Sequence, residues 1–218
     1  MPEEPVRRTL SWGIKLKTKV VILDAMGVMY SIGDDVKDLL CPFIAEKGGI
    51  TDVDKITSLY MAASLGNMTT IEFWQSVAVA PNLEDEYLQR HKLTDGLIEF
   101  LEAINSRGGE VWCLSNDLSE WSRKLRDRFK LERYLRGFVI SGDVGITKPD
   151  PKIFQYLIRR LDVNVGDIVF VDDNPKNLDS ATKLGLKTIL FNASAENLSH
   201  SGYESVRNFN ELLHCLSQ

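Results

Sequence analysis

The sequence predicts an α/β protein in which a doubly wound parallel sheet carries an inserted helical cap. The first observation is an isolated apolar run, Val20–Leu23, that ends at a turn. The second is the stretch from residue 31 to residue 92, which has apolar positions at helical spacing and no good strand. The third is the alternation of helix and strand patterns after residue 95, which is typical of a parallel sheet with helices on both faces.

These patterns divide the chain into a core of residues 1–30 and 93–218 and a cap of residues 31–92. In the cap, apolar spacing predicts four helices, over residues 34–46, 52–65, 69–77 and 83–91. In the core, the patterns predict strands at 20–23, 110–114, 138–140, 168–171 and 187–191, and helices at 96–106, 118–128, 151–160 and 177–184. Residues 192–208 are polar and poorly periodic, so we expect a loop there, followed by a last short helix.

Composition limits the functional classes. A chain of 218 residues is long enough for one substantial core with an insertion, and 44% hydrophobic with 26% charged residues is typical of a globular protein. A formal net charge of -5 argues against nucleic-acid binding. No apolar stretch approaches the length of about 20 residues that a membrane span needs. We therefore expect neither a nucleic-acid nor a membrane partner.

Two further features favour a cytoplasmic protein. The first 19 residues lack the apolar centre of a signal peptide. The three cysteines, Cys41, Cys113 and Cys215, have no paired spacing for a disulfide framework or a zinc site. A basic cluster between Arg123 and Lys130 is spread around a predicted helix, so we expect it to form a solvated face. No pattern indicates an oligomeric state.

Asp24 stands where a nucleophilic carboxylate would be presented. It follows a four-residue apolar run, which is typical of a strand buried on both faces of a parallel sheet, and it precedes the small turn Ala25-Met26-Gly27. Open parallel sheets place their chemistry just beyond the carboxyl ends of their strands. An isolated aspartate in this setting is more often a turn or cap residue, so the motif needs support from the rest of the chain.

Three further polar groups follow in order. Ser115-Asn116-Asp117 comes directly after a strand pattern, where a hydroxyl and helix N-terminal amides can bind an anion. Lys148 precedes two closely spaced prolines, which restrict its backbone. Asp172 and Asp173 stand side by side at the end of another strand pattern, which is costly unless a cation lies near. Each has an ordinary explanation as a cap or surface residue, but together they predict one crevice at the strand ends.

The order of these groups resembles the haloacid dehalogenase superfamily, and the resemblance extends from Lys19 to the C-terminus. The late block, from Lys148-Pro149-Asp150-Pro151 through Val171-Asp172-Asp173-Asn174 to Gly185, resembles the branch that contains sugar-phosphate phosphatases and the N-terminal phosphatase domain of epoxide hydrolases. The cap segment from Gly66 to Trp74 resembles the same branch. The resemblance implies a Rossmann-like core and a hydrolase.

By this resemblance, Asp24 is the catalytic nucleophile and forms an aspartyl-phosphate. Ser115 and the main-chain amide of Asn116 would bind the phosphoryl oxygens. Lys148 would neutralise charge and orient Asp24, and such electrostatic positioning dominates phosphoryl transfer. The implied substrate is a small phosphorylated metabolite, and the implied reaction is hydrolysis of its phosphomonoester.

The resemblance also implies Mg²⁺ as the cofactor. Its ligands would be a carboxylate oxygen of Asp24, the main-chain carbonyl of Met26 and Asp173, with waters completing the octahedron. Asp172 and Asn177 would support these ligands from behind. Because residue 26 contributes its backbone, a methionine there does not abolish the metal site.

Met26 departs from the pattern in its side chain. In most phosphatases of this superfamily the residue is an aspartate that protonates the leaving group and then activates water, and a thioether can do neither. General acid-base catalysis is worth about 10² to 10⁴ in rate. We therefore expect slow hydrolysis or a long-lived phosphoenzyme, unless a cap residue, solvent or the substrate itself supplies the proton.

Two other classes remain open. Dehalogenases of this superfamily also use a lone aspartate followed by a non-acidic residue at the second position. They need an arginine near the cap, however, and they resemble one another in having serines where this chain has Asp172-Asp173. The other class is a catalytically impaired protein that binds phosphate or magnesium, which the loss of one acid-base group permits.

The cap is expected to select the substrate, because it covers the crevice during chemistry. The candidate contacts are Met29, Tyr30, Met61, Phe73 and Trp74. Aromatic and methionine residues at helical spacing are more often packing residues. The cap has no arginine between Tyr30 and Gln89, so it is poorly equipped to grip a second phosphate or a carboxylate. A small, largely neutral phosphomonoester, such as a sugar phosphate, fits these features.

Overall fold

The structure is a computed structural model that describes residues 18–191 and 202–217. After β1 (Val20–Leu23), the chain between residues 24 and 96 adds no strand to the sheet. It forms a short π-helical turn at Val36–Leu40 and then α1 (Cys41–Glu46), α2 (Val53–Ser64), α3 (Thr70–Ser76) and α4 (Glu84–Leu88). The division of the chain into core and cap stays a prediction, and we use "cap" for residues 31–92 throughout.

Helices and strands then alternate as the sequence predicts. The elements are α5 (Leu97–Ser106), β2 (Glu110–Ser115), α6 (Ser119–Phe129), β3 (Gly137–Ile140), α7 (Ser141–Val144), α8 (Pro151–Ile158), β4 (Ile168–Asp172), α9 (Pro175–Lys183), β5 (Lys187–Phe191), β6 (Glu204–Val206) and α10 (Phe209–Cys215). The six strands form one parallel sheet, which confirms the predicted fold class. None of the helices in the described ranges has both the length and the apolar character that crossing a membrane requires.

The sheet topology places a crevice beside β1. The strand order is β3-β2-β1-β4-β5-β6, so the chain builds outward on one side of β1 and then returns to build outward on the other. Leu23 at the end of β1 pairs with Cys113 of β2 and Val171 of β4, so these three strands end at nearly the same level. Ligands of doubly wound sheets bind where the strand order reverses, beyond the carboxyl ends.

Side chains of β1 alternate between two apolar clusters on opposite faces of the sheet. Val21 and Leu23 join the larger cluster, which extends through α5 and α6 into the aromatic residues of the cap. Val20 and Ile22 join the smaller cluster under α8 and α9. All four residues are at most 1% exposed, as expected for a strand buried on both faces.

Three predicted segments differ in the structure. The helix predicted over 34–46 changes from a π-helical to an α-helical pattern at Cys41, and Pro42, which has no N–H to donate, lies in the first turn of α1. The helix predicted over 83–91 is limited to Glu84–Leu88. The predicted loop at 192–208 contains the edge strand β6, which pairs with β5; residues 192–201 lie outside the described residues. A three-residue edge strand is too short to show period-two alternation.

A buried carboxylate joins the cap to the core. Glu84 of α4 accepts hydrogen bonds at Oε2 from the indole nitrogens of Trp74 in α3, at 2.9 Å, and Trp121 in α6, at 2.8 Å. Lys124 of α6 donates to the other oxygen, Oε1, at 2.6 Å. Both indoles lie in a continuous aromatic cluster. The Glu84 side chain therefore joins α3 and α4 of the cap to α6 of the core.

The expectation of a solvated face for the basic cluster between Arg123 and Lys130 is wrong for three of its five residues. Lys124 binds Glu84, Arg128 donates to the main-chain carbonyl of Leu88 at 2.6 Å, and the Arg126 guanidinium lies 4.3 Å from the ring centroid of Phe138. Long basic side chains can reach across apolar surface to distant acceptors, which helical spacing within one element does not reveal. Lys124 and Arg128 therefore help to attach the cap.

Replacing Glu84 by alanine should lower the free energy of unfolding by about 3 kcal/mol, because two buried indole N–H groups and one ammonium lose their acceptor. Urea unfolding followed by tryptophan fluorescence measures this. The matched control is Asp85→Ala, whose neighbouring carboxylate also contacts Lys124 but is 75% exposed and should matter by less than about 0.5 kcal/mol. Equal effects of the two substitutions would contradict this account of the cap attachment.

Candidate active site

Asp24 is fixed at the end of the central strand. Its main-chain N–H donates to the carbonyl of Val171 on β4 at 2.9 Å, which continues the sheet pairing by one residue. Its Oδ1 accepts from the N–H of Ala25 at 2.6 Å and lies 2.7 Å from the Lys148 ammonium. Both contacts use Oδ1, so neither of them occupies Oδ2.

Lys148 is buried and bridges two carboxylates. Its Nζ lies 2.7 Å from Asp24 Oδ1 and 2.8 Å from Asp172 Oδ2. Burial lowers the pKa of Lys148, but the charges of Asp172 and Asp24 outweigh that effect and hold the pKa above its ordinary value. The lysine therefore remains a cation, and its charge is shared between the ends of β1 and β4.

Asp172 is held at both carboxylate oxygens by protein donors. Oδ1 accepts from the Asn174 N–H at 2.8 Å, and the Asn177 side-chain amide donates to both oxygens at 3.0 Å. Lys148 completes the set at Oδ2. The structure thus brings the predicted supporting residues Asp172 and Asn177 into direct contact, and Asp172 also contacts the Lys148 ammonium.

Asn116 uses its side chain to fix the backbone that carries Lys148. Its Oδ1 accepts from the Lys148 N–H at 2.8 Å, and its Nδ2 donates to the Lys148 carbonyl at 2.9 Å. The sequence predicted only a main-chain role for Asn116. The side-chain contacts were missed because they join residues 32 positions apart, and no local pattern marks such a pair.

Ser115 has a buried hydroxyl at the end of β2. It is the last residue of β2 and is 1% exposed. Its Oγ makes no hydrogen bond to any residue in the described ranges. A buried hydroxyl without a partner costs about 1 to 3 kcal/mol, so such a group at a strand end indicates a ligand oxygen.

Three carboxylates at this edge can converge on one cation. Oxygen atoms of Asp24, Asp172 and Asp173 lie within 4.8 Å of one another. Burial first, and then the charge of Asp172, raise the pKa of both Asp24 and Asp173, the latter to about 6. Lys148 offers only one positive charge to the three carboxylates. An anionic, oxygen-rich cluster of this kind fits a hard divalent cation such as Mg²⁺.

Gly27 makes room for the Asp173 carboxylate. A Cβ on Gly27 would stand 2.1 Å from Asp173 Oδ2, and the residue has a φ of 76°, which side chains rarely adopt. Met26 lies in the same turn, between Asp24 and Gly27, with its side chain in the large apolar cluster. The thioether thus packs with apolar residues, and it offers no acid or base group to the carboxylates.

The cap contributes polar residues that the sequence did not single out. Tyr60 of α2 donates its hydroxyl to the main-chain carbonyl of Asn116, at 3.3 Å, directly over the end of β2. Asp35 and Asp117 are both buried nearby. Of the residues proposed to contact substrate, Phe73 and Trp74 are fully buried in the aromatic cluster with Trp121, Met29 and Tyr30 are buried in the large apolar cluster, and Met61 is exposed.

A doubly wound sheet with a buried carboxylate at the end of its central strand defines the class of this protein. A family model for haloacid dehalogenase-like hydrolases matches residues 18–185. The match covers most of the chain, and the chain belongs to this family of hydrolases.

Relatives within the family differ in their chemistry. The (S)-2-haloacid dehalogenase 4A of Burkholderia cepacia is 37% identical over 94 residues, which cover 43% of this chain and 41% of that protein. Flavin mononucleotide hydrolase 1 of Arabidopsis thaliana is 30% identical over 111 residues, 50% of this chain and 45% of that protein. The chain matches less than half the length of either relative.

Solved structures agree on the fold. A HAD phosphatase from Thermococcus onnurineus superimposes with a TM-score of 0.71 at 20% identity, over 91% of this chain and 98% of that one. A dehalogenase with an intermediate complex superimposes with a TM-score of 0.65 at 22% identity, over 93% and 98%. Both kinds of enzyme share the fold, so the comparisons establish a hydrolase but do not identify its substrate.

Without a metal ion, Asp173→Asn should stabilise the protein at alkaline pH. The folded-state pKa of about 6 exceeds the ordinary 3.8, so the folded protein keeps a proton that the unfolded chain has released, and stability falls as pH rises through that window. The full difference corresponds to about 3 kcal/mol. Denaturant unfolding in a chelator at pH 4 and pH 8 should show the gain at pH 8 only.

The exposed Asp143→Asn substitution on α7 serves as the matched control and should leave both values unchanged. A lower free energy of unfolding for Asp173→Asn than for wild type at pH 8 without metal would show that the ionised Asp173 carboxylate does not destabilise the folded protein.

Proposed function

We propose that the protein is a Mg²⁺-dependent hydrolase that acts on a small phosphomonoester through an aspartyl-phosphate at Asp24. The observation that carries the proposal is the charge of the site: three carboxylates converge there, and the buried Lys148 pairs with only Asp24 and Asp172. A phosphoryl group would add further negative charge, which such a cluster tolerates only with a divalent cation. Hydrolysis of a haloacid needs no such cation.

In this proposal, each polar group at the strand ends has one task. Lys148 holds Asp24 by Oδ1, so that Oδ2 can attack the phosphorus in line. The unpartnered hydroxyl of Ser115 and the main-chain amide of Asn116 donate to phosphoryl oxygens. Asp172 keeps Lys148 charged and in place.

Asp24, Asp173 and the main-chain carbonyl of Met26 would hold the Mg²⁺ ion. When bound, the ion supplies a positive charge that neutralises the developing charge on the phosphoryl oxygens. The proposed roles of these ligands and of the supporting Asn177 follow the family resemblance, together with the contacts described above.

The proposed substrate is a small phosphorylated metabolite with a largely neutral remainder. Arg90, which lies near the C-terminal end of the cap, forms ion pairs with Glu46 and Glu86. Its guanidinium is therefore not free to bind a second anionic group of the substrate. A sugar phosphate or a similar monoester meets this condition. Nucleic acid and membrane surfaces remain outside the proposal, in keeping with the net charge of -5.

Asp24 should become phosphorylated when the protein is given a reactive phosphate donor, because Lys148 holds the carboxylate in place for attack on phosphorus. Mixing the protein with Mg²⁺ and acetyl phosphate, quenching in acid and mapping by mass spectrometry should place the added phosphoryl group on Asp24. Asp24→Asn should abolish the label while leaving the melting temperature within a few degrees of wild type, and a label of equal yield in that variant would rule out Asp24 as the nucleophile.

Haloacid dehalogenation is the second candidate. It is favoured by the lone aspartate with a non-acidic residue at position 26 and by the 37% identical dehalogenase relative. Release of halide from 2-haloacids in the presence of a chelator, with loss in Asp24→Asn, would establish it in place of the phosphatase. Binding of Mg²⁺ and phosphate without turnover of either substrate class would instead indicate a binding protein.

A further inference from the structure

We propose that Asp35 of the cap is the general acid and base that Met26 cannot be. This inference rests on the phosphatase activity proposed above and names the residue that would complete it. It concerns a residue that lies outside the four strand-end motifs and that sequence reasoning did not select.

The first argument is the course of the chain from the site to Asp35. Gly33 approaches the Asp173 carboxylate closely enough that a Cβ there would lie 3.1 Å from Asp173 Oδ2. Its neighbour Asp34 raises the pKa of Asp173 through its charge, after the larger effects of burial and of Asp172. The segment that enters the cap therefore runs past the carboxylate cluster, and Asp35 follows two residues after the contact.

The second argument is a set of buried polar side chains between the cap and the end of β2. Asp35 is 6% exposed, and its Oδ2 accepts a hydrogen bond from the Tyr87 hydroxyl of α4 at 3.3 Å. Tyr60 of α2 reaches from the cap to the Asn116 carbonyl. Burial raises the pKa of Tyr60, and the charges of Asp35, Asp117 and Asp24 add to this. The Tyr60 hydroxyl is therefore within electrostatic range of both Asp24, the proposed nucleophile, and Asp35, the proposed acid.

The protonation of Asp35 suits an acid and base at neutral pH. Burial raises its pKa to about 7, against an opposing hydrogen bond from Tyr87. The groups around it are Tyr60 and Tyr87 from the cap, Asp117 after β2, and Asp34 on its own segment; the lysine of that segment, Lys37, is paired with Asp34 in solvent. A catalytic group works best when its pKa lies near the working pH.

Asp117 is the other buried carboxyl, and its contacts give it a different task. Burial, and then the charge of Asp35, raise its pKa well above the ordinary value, so the two carboxyls do not both ionise readily. Asp117 Oδ1, however, accepts from the Leu118 N–H at 2.7 Å at the start of α6. Asp117 is thereby fixed to the core, and the charge of Asp35 favours the protonated form of Asp117.

The proton balance of the proposed cycle closes. In the first step the Asp24–phosphorus bond forms, the phosphorus–oxygen bond of the ester breaks, and the Asp35 carboxyl gives its proton to the departing alkoxide. The products are a neutral alcohol, the phosphoenzyme and ionised Asp35. In the second step Asp35 takes a proton from the water that attacks phosphorus, which releases hydrogen phosphate and restores carboxylate Asp24 and protonated Asp35.

Leaving-group dependence tests this assignment. The Mg²⁺-loaded enzyme is compared with Asp35→Asn in single-turnover phosphorylation by an alkyl phosphate, whose alcohol needs a proton to depart, and by p-nitrophenyl phosphate, whose phenolate does not. Asp35→Asn should lose about 10² to 10³ in the phosphorylation rate with the alkyl ester and less than about threefold in the p-nitrophenolate burst. Retention of the burst shows that the variant is folded.

Two further variants separate acid catalysis from a structural effect. Asp38→Asn, an exposed carboxyl on the same segment, should change neither rate. Tyr87→Phe removes the hydrogen bond that lowers the pKa of Asp35, so the falling limb of the alkyl-ester pH profile should move to higher pH. A purely structural role for Asp35 would not move that limb.

The outcomes are distinct. If wild type turns over both esters and Asp35→Asn slows both equally or neither, the assignment of Asp35 is overturned while the phosphatase stands. If wild type phosphorylates Asp24 with neither ester, the proposed function fails and the role of Asp35 fails with it.

Discussion

The contact between Lys148 and the carboxylates of Asp24 and Asp172 is the interaction on which the rest of the site depends. It brings the ends of β1 and β4 together around one buried cation, at distances of 2.7 and 2.8 Å. Without that cation, adjacent strands of a parallel sheet would end in uncompensated buried carboxylates, which is a strongly unfavourable arrangement. Asn116 and Asn177 add the end of β2 and the start of α9 to the same network by holding Lys148 and Asp172.

Two groups at this edge of the sheet have unfavourable surroundings in the protein alone. Asp173 shares the cluster without a cation of its own, and Ser115 keeps a buried hydroxyl without a hydrogen-bond partner in the described residues. Groups that cost stability in the free protein are those that a ligand satisfies. The remainder of the molecule offsets this cost through ordinary packing, above all the aromatic cluster in which Glu84 receives hydrogen bonds from Trp74 and Trp121.

Sequence patterns were sufficient for the fold class and for the residues at the strand ends, because parallel topology converts strand ends into neighbours. They were insufficient for contacts that depend on how the cap sits over the core. The clamp of Asn116 on Lys148, the reach of Tyr60 to β2 and the burial of Asp35 join segments that are far apart in sequence. The basic residues of α6 show the same limit, since their acceptors lie in the cap. Charged residues in a helical pattern predict solvent exposure only when no partner is brought to them.

The central claim is that the strand-end network of Asp24, Ser115, Asn116 and Lys148 is built to hold a phosphoryl group on Asp24. A crystal structure of the protein with Mg²⁺ and beryllium fluoride, which mimics a phosphoryl group on a carboxylate, tests it most directly. The account predicts beryllium bonded to a carboxylate oxygen of Asp24, with fluorines in hydrogen-bond contact with Ser115 Oγ and Lys148 Nζ and the metal ion on Asp173. Beryllium fluoride bound away from Asp24, with the Ser115 hydroxyl still without a partner, would contradict it.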